Sequence, residues 1–105
     1  MKIDTKLDYK WFKKNLFNVL ACDGEDAIRY IFRFKNGYGA SVIKNRCSYG
    51  HEDNLWELAV IVFISTRKWH LCYDTPITYD VEGYLSNRQV RALLKRIKRL
   101  PKARD

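Results

Sequence analysis

From residue 8 to residue 20 the apolar side chains recur as on one side of a helix: Phe12, Leu16, Val19 and Leu20 stand at i, i+4, i+7 and i+8. This stripe predicts a first helix over 8–20, capped by Asp8 and stopped by Asp23-Gly24. Lys10, Lys13 and Lys14 fall mostly off it. From Ala27 to Lys35 the period drops to two, with Ile28, Tyr30, Phe32 and Phe34 on one side and Arg29, Ile31, Arg33 and Lys35 on the other. Alternation of this kind predicts a half-buried strand. Asn36-Gly37 then supplies a hairpin turn, because both residues tolerate positive φ. A second strand is expected from Tyr38 to Lys44, and a two-residue turn would set Phe34 opposite Gly39.

Asn45 to Asn54 is polar and contains Gly50, so it reads as a loop. Leu55 to Ile64 is the most apolar stretch, rich in Val and Ile, and predicts a central strand buried on much of both faces. Ser65 to Lys68 forms a polar turn, and Trp69 to Asp74 a fourth strand. Pro76 cannot donate to a ladder, so the chain leaves the sheet there. The segment YDTPITYDVEGYL, Tyr73–Leu85, reads as an ordered connection. Ser86 and Gln89 then match a capping box, and Val90, Leu93, Leu94, Ile97 and Leu100 form the buried stripe of a final helix that Pro101 ends. The expected architecture is α+β: one domain over residues 1–105, in which a four-stranded antiparallel meander is packed by an N-terminal and a C-terminal helix.

Composition changes this picture mainly through charge. The longest apolar run, Leu58 to Ile64, falls far short of the roughly 20 residues of a membrane helix, so no membrane partner is expected. The segment MKIDTKLDYKWFKK has no uninterrupted apolar stretch and does not read as a signal peptide. Three cysteines, Cys22, Cys47 and Cys72, make an odd set without a CxxC pair, which suits a reducing cytosol. The net charge of +8 is concentrated at the ends. Residues 1–20 carry five lysines against two aspartates, and residues 86–105 carry eight Lys/Arg against Asp105. Residues 21–85 are slightly acidic.

On the final helix Arg88, Arg91, Lys95, Lys98 and Lys102 recur at spacings of three, four, three and four and share one face, flanked by Arg96 and Arg99. Such a face can follow a phosphate backbone or an acidic protein surface. A surface helix must also be polar somewhere, and cations near its C-terminus suit the macrodipole. Arg29, Arg33 and Lys35, with Tyr38 nearby, add cations on what should be an exposed strand face, a pattern found on single-strand binding platforms. Cys47 and His51, together with His70 and Cys72, could in principle ligate zinc, although their spacing fits no common module. Asp74, Asp80 and Glu82 are acids close in sequence, and Asp74 before Thr75-Pro76 reads first as a turn former. Recognisable nucleophile, phosphate-loop and metalloprotease motifs are missing, so neither an enzyme nor a cofactor is expected.

Three segments carry a resemblance: NGYGASV at Asn36–Val42, SYG with LWELAV at Ser48–Gly50 and Leu55–Val60, and YDTPITYDVEGYL. They resemble a group of small bacteriophage and prophage proteins that has no assigned activity. The similarity spans about Asn36 to Leu100. It implies a phage origin, a bacterial host cytoplasm and a more acidic final helix than the one present. It transfers no catalytic or binding role. Three functional classes are compatible with these residues. One is a non-enzymatic phage accessory protein that inhibits a host protein or ribonucleoprotein complex, such as an antiphage-defence system. The second is a direct DNA- or RNA-binding module using the basic helix. The third is a small hydrolase or metal-dependent enzyme around His51, His70 and Asp74.

Overall fold

The computed structural model describes residues 6–21, 28–44, 55–77 and 81–103. It is an α+β fold in which a six-stranded antiparallel sheet packs against one α-helix. The strands are β1 (Leu16–Ala21), β2 (Ile28–Arg33), β3 (Tyr38–Lys44), β4 (Trp56–Phe63), β5 (Trp69–Leu71) and β6 (Val81–Leu85), and the helix α1 is Asn87–Lys98. The first five strands run in sequence order, as a meander should. β6 returns to β4, where it pairs with the first half of the edge whose second half pairs with β5.

Two expectations about element number are corrected. Residues 8–20 form no α-helix: a kinked 3-10 segment, Lys10–Asn15, leads directly into β1. Asp8 caps nothing, and its backbone N–H donates to Asn87 Oδ1 at 3.1 Å. The apolar stripe dissolves accordingly. Phe12 is buried, but Val19 and Leu20 are 40% and 41% exposed. The free edge of β2 offers this segment a ladder from Leu16 to Ala21, interrupted only by a bulge at Phe17, which outweighs the weak preference of LFNVLA for helix. The second correction concerns VEGYL in the presumed connection, which becomes β6 because β5 covers only part of the β4 edge.

The central strand is where the apolar run predicted it. β4 is buried along most of its length, with Leu58, Val60 and Ile61 fully enclosed. Tyr30, Phe32, Ala40, Val42, Trp56, Leu58 and Val60 point to the helix side, where Val90, Leu94 and Ile97 of α1 complete the core. The capping box is present: Gln89 N–H donates to Ser86 Oγ at 3.2 Å, and Ser86 N–H to Gln89 Oε1 at 2.8 Å.

The β2–β3 hairpin forms around Asn36-Gly37, but with three loop residues instead of two. Phe34 N–H donates to Tyr38 O, Gly37 N–H donates to Phe34 O, and Gly37 carries a φ of 91°. The register therefore moves by one, and Arg33, not Phe34, stands opposite Gly39. A Cβ on Gly39 would strike the Phe32 carbonyl oxygen and come within 2.9 Å of the Phe63 ring, which explains a glycine there.

The same turn locks the end of α1. Pro101 has no N–H to give the Ile97 carbonyl, which accepts from Leu100 N–H at 3.1 Å and, from the hairpin, from Asn36 Nδ2 at 2.9 Å; Asn36 Nδ2 also donates to Leu100 O at 3.0 Å. Asn36 Oδ1 accepts from Tyr38 N–H, and Asn36 O accepts from Ala103 N–H at 2.7 Å. One side chain thus fixes the loop and the C-terminus of the helix together.

Candidate functional site

The 3-10 segment lies beside α1 because Phe12 inserts into the core next to Phe34, their rings meeting edge to face at 6.1 Å. Lys98 Nζ sits 5.9 Å above the Phe12 ring. At the other end the Asp8 to Asn87 hydrogen bond ties the segment to the first turn of α1. A groove of about 810 Å³ runs between the two elements, with Trp11 and Phe12 on one wall and Arg88, Arg91, Lys95, Lys98 and Arg99 on the other. Among the described residues no carboxylate lines it.

Four of the five predicted helix cations, Arg88, Arg91, Lys95 and Lys98, are exposed in this groove, so the three-and-four spacing did mark one face. Lys98 also borders a second groove, of about 980 Å³, with Lys14, Arg33 and Lys35, again without a carboxylate among the described residues. Lys102 lies past the helix end on a third groove, which Lys35 shares. The cationic surface is therefore continuous from Arg88 along α1 to the β2–β3 turn.

The strand cations divide. Lys35 is exposed in the turn and joins this surface. Arg33 joins it as a half-buried residue: its guanidinium lies 5.1 Å over the Phe63 ring and donates to Thr66 O at 3.0 Å. Arg29 does not belong. It is half-buried on the sheet face away from α1, where Nε has no hydrogen-bond partner among the described residues. The face expected to be open carries Ile31, Ser41, Ala59 and Ile61, all buried. Tyr30, Phe32 and Phe34 are core, as the alternation placed them, and Tyr38 packs against that core, so the strand presents no aromatic stacking platform.

Cys47 and His51 lie outside the described residues, as do Cys22 and Asp80. His70 is exposed, Cys72 is a half-buried free thiol and Asp74 is exposed; all three border the third groove. His70 Nδ1 lies 3.0 Å from Leu71 O of its own strand. Among the described residues no three His, Cys, Asp or Glu side chains come together as a metal site would require. The turn after β5 is held by Thr75, whose Oγ1 accepts from Ile77 N–H, rather than by Asp74. No helix among the described residues is long and apolar enough to cross a membrane.

Sequence reasoning missed Trp11. The ring is 61% exposed, with Arg91 at 5.4 Å and Lys10 at 5.5 Å from its centroid. A signal was present: a tryptophan among lysines, off the apolar stripe, is an aromatic the core does not claim. Lys14, which the same pattern set off the apolar stripe, was likewise not assigned to the site. Comparisons with protein-family models, with curated proteins and with solved structures give no match.

Proposed function

We propose that this protein is a non-enzymatic nucleic-acid-binding module whose contact surface is the cationic face of α1. The observation that carries the reading is the joining of Arg88, Arg91, Lys95 and Lys98 with Lys14, Arg33 and Lys35 across two adjoining grooves that no carboxylate lines among the described residues. A solvated surface normally intersperses both signs, whereas one sign held on rigid elements is what a phosphate backbone requires. The test is a mobility shift of labelled DNA and RNA at about 50 mM salt. Retardation is expected there, with loss towards physiological salt; no retardation at the lower salt contradicts the proposal.

The motif resemblance favours a second reading, inhibition of a nucleic-acid-handling or defence complex in a bacterial host. Charge decides how that would work. A basic surface is repelled by the basic channel in which such a complex holds its nucleic acid, so direct competition is disfavoured. Docking onto nucleic acid already held by the complex uses the same α1 face and suits its sign. A tagged pull-down from bacterial lysate with and without nuclease separates the two: a discrete partner that survives nuclease supports host inhibition, and its loss on digestion supports binding through nucleic acid.

A further inference from the structure

We propose that the groove between the 3-10 segment and α1 takes single-stranded nucleic acid, with a base stacked on Trp11 and the neighbouring phosphates held by α1. This deepens the nucleic-acid reading and rests on it. The chain has three tryptophans, and their settings differ sharply. Trp56 is 1% exposed in the core and Trp69 is half-buried on β5, whereas Trp11 stands 61% open on the groove wall. Exposure alone would not distinguish it, since Ile64 and Tyr84 are as open; what does is the set of cations around the ring. Arg91 and Lys10 lie within 5.5 Å of its ring centroid, so cations and a π-face meet at one point. That pairing is the recurring design of single-strand sites, in which bases stack on aromatics while a positive groove follows the backbone.

Groove length agrees. From Arg88 to Lys98 is ten residues of helix, about 15 Å, which is room for roughly four nucleotides and the lower end of known single-strand site sizes. The shape argues against a duplex. For α1 to enter a major groove it would need free flanks, but the 3-10 segment stands along one side and the sheet covers the back. In a duplex the base faces are hidden in the stack, so Trp11 could reach one only after unstacking a step. A single strand presents its bases already free.

The experiment follows tryptophan fluorescence during titration at about 50 mM salt with a short oligothymidylate, the matching duplex and polyglutamate. Oligothymidylate is expected to quench the emission and to bind more tightly than the duplex. Trp11→Ala should abolish the quench and weaken single-strand binding roughly 5- to 100-fold while leaving duplex binding unchanged. Trp11→Tyr, which keeps a stacking ring, should restore most of the affinity. The side chain is largely exposed, so both variants should fold, which a thermal melt checks. If Trp11→Ala binds the single strand as well as the unmodified chain, or if the duplex binds equally tightly, the stacking proposal fails and the polyanion surface stands. Absence of binding to either nucleic acid at this salt overturns the underlying reading as well. Polyglutamate binding tighter than either overturns both in favour of an acidic protein partner.

Discussion

Asn36→Asp is expected to cost about 2–4 kcal/mol of stability and to lower the melting temperature by roughly 10–25 °C. The substitution keeps the shape of the side chain and replaces its donor. In the native protein the Asn36 amide gives hydrogen atoms to the carbonyls of Ile97 and Leu100 at the end of α1. A carboxylate there can only accept, so it would face carbonyl oxygens at the negative end of the helix macrodipole. Backbone cover there is partial: Leu100 N–H reaches Ile97 O at 3.1 Å in a 3-10 bond, and Pro101 has no N–H to complete the i+4 bond. Lys35 and Lys98 lie near enough to soften the repulsion but cannot restore the lost bonds. Asn36→Ala removes the donors without adding charge and should cost about 1–3 kcal/mol. The two variants separate by pH. A carboxylate disfavoured in its charged form has a higher pKa folded than unfolded, so its penalty applies at neutral pH and is relieved as pH falls through that folded value. Relative to the unmodified chain, Asn36→Asp should therefore recover in acid, and Asn36→Ala should not. Thermal melts at neutral and acid pH read both effects.

Arg91→Glu combined with Lys95→Glu should lower nucleic-acid affinity roughly 100-fold at low salt with little loss of stability. Both side chains are exposed, and neither belongs to the buried stripe of Val90, Leu94 and Ile97. Each reversal removes an attraction and adds a repulsion of similar size, and both fall in the middle of a groove with no other negative charge among the described residues. The same double reversal at Arg67 and Lys68, exposed in the β4–β5 turn and absent from the lining of these grooves, changes net charge equally. It should reduce affinity far less. Equal losses from the two pairs would mean that net charge, not the α1 surface, governs binding.

Much of the fold could be read from local pattern. The Asn36-Gly37 turn, the Leu55–Ile64 run and the Ser86/Gln89 cap each depend on neighbours in sequence, and each lies where the pattern put it. What was not legible depends on partners distant in the chain. LFNVLA can be written on a helical wheel as easily as on a strand, and only the open edge of β2 decides for the strand. VEGYL shows little alternation and becomes a strand because β4 has a vacant half-edge. The site divides in the same way. Helical spacing put Arg88, Arg91, Lys95 and Lys98 on one face without reference to anything else. Trp11 joins them only because Phe12, its neighbour, is anchored against Phe34. Arg29 was misplaced because alternation tells which residues share a face but not whether that face is open.

The central claim is that a local array of cations on α1 holds phosphates. Its most direct measurement is the affinity for a short single strand across a salt series, plotted as log K against log salt. The groove cations Arg88, Arg91, Lys95, Lys98 and Arg99 face about four nucleotides, whose four phosphates predict a slope of about −2.8, flattened by about 1.4 units in the Arg91→Glu, Lys95→Glu variant. A slope flatter than about −1, or one that the double substitution leaves unchanged, would contradict the account.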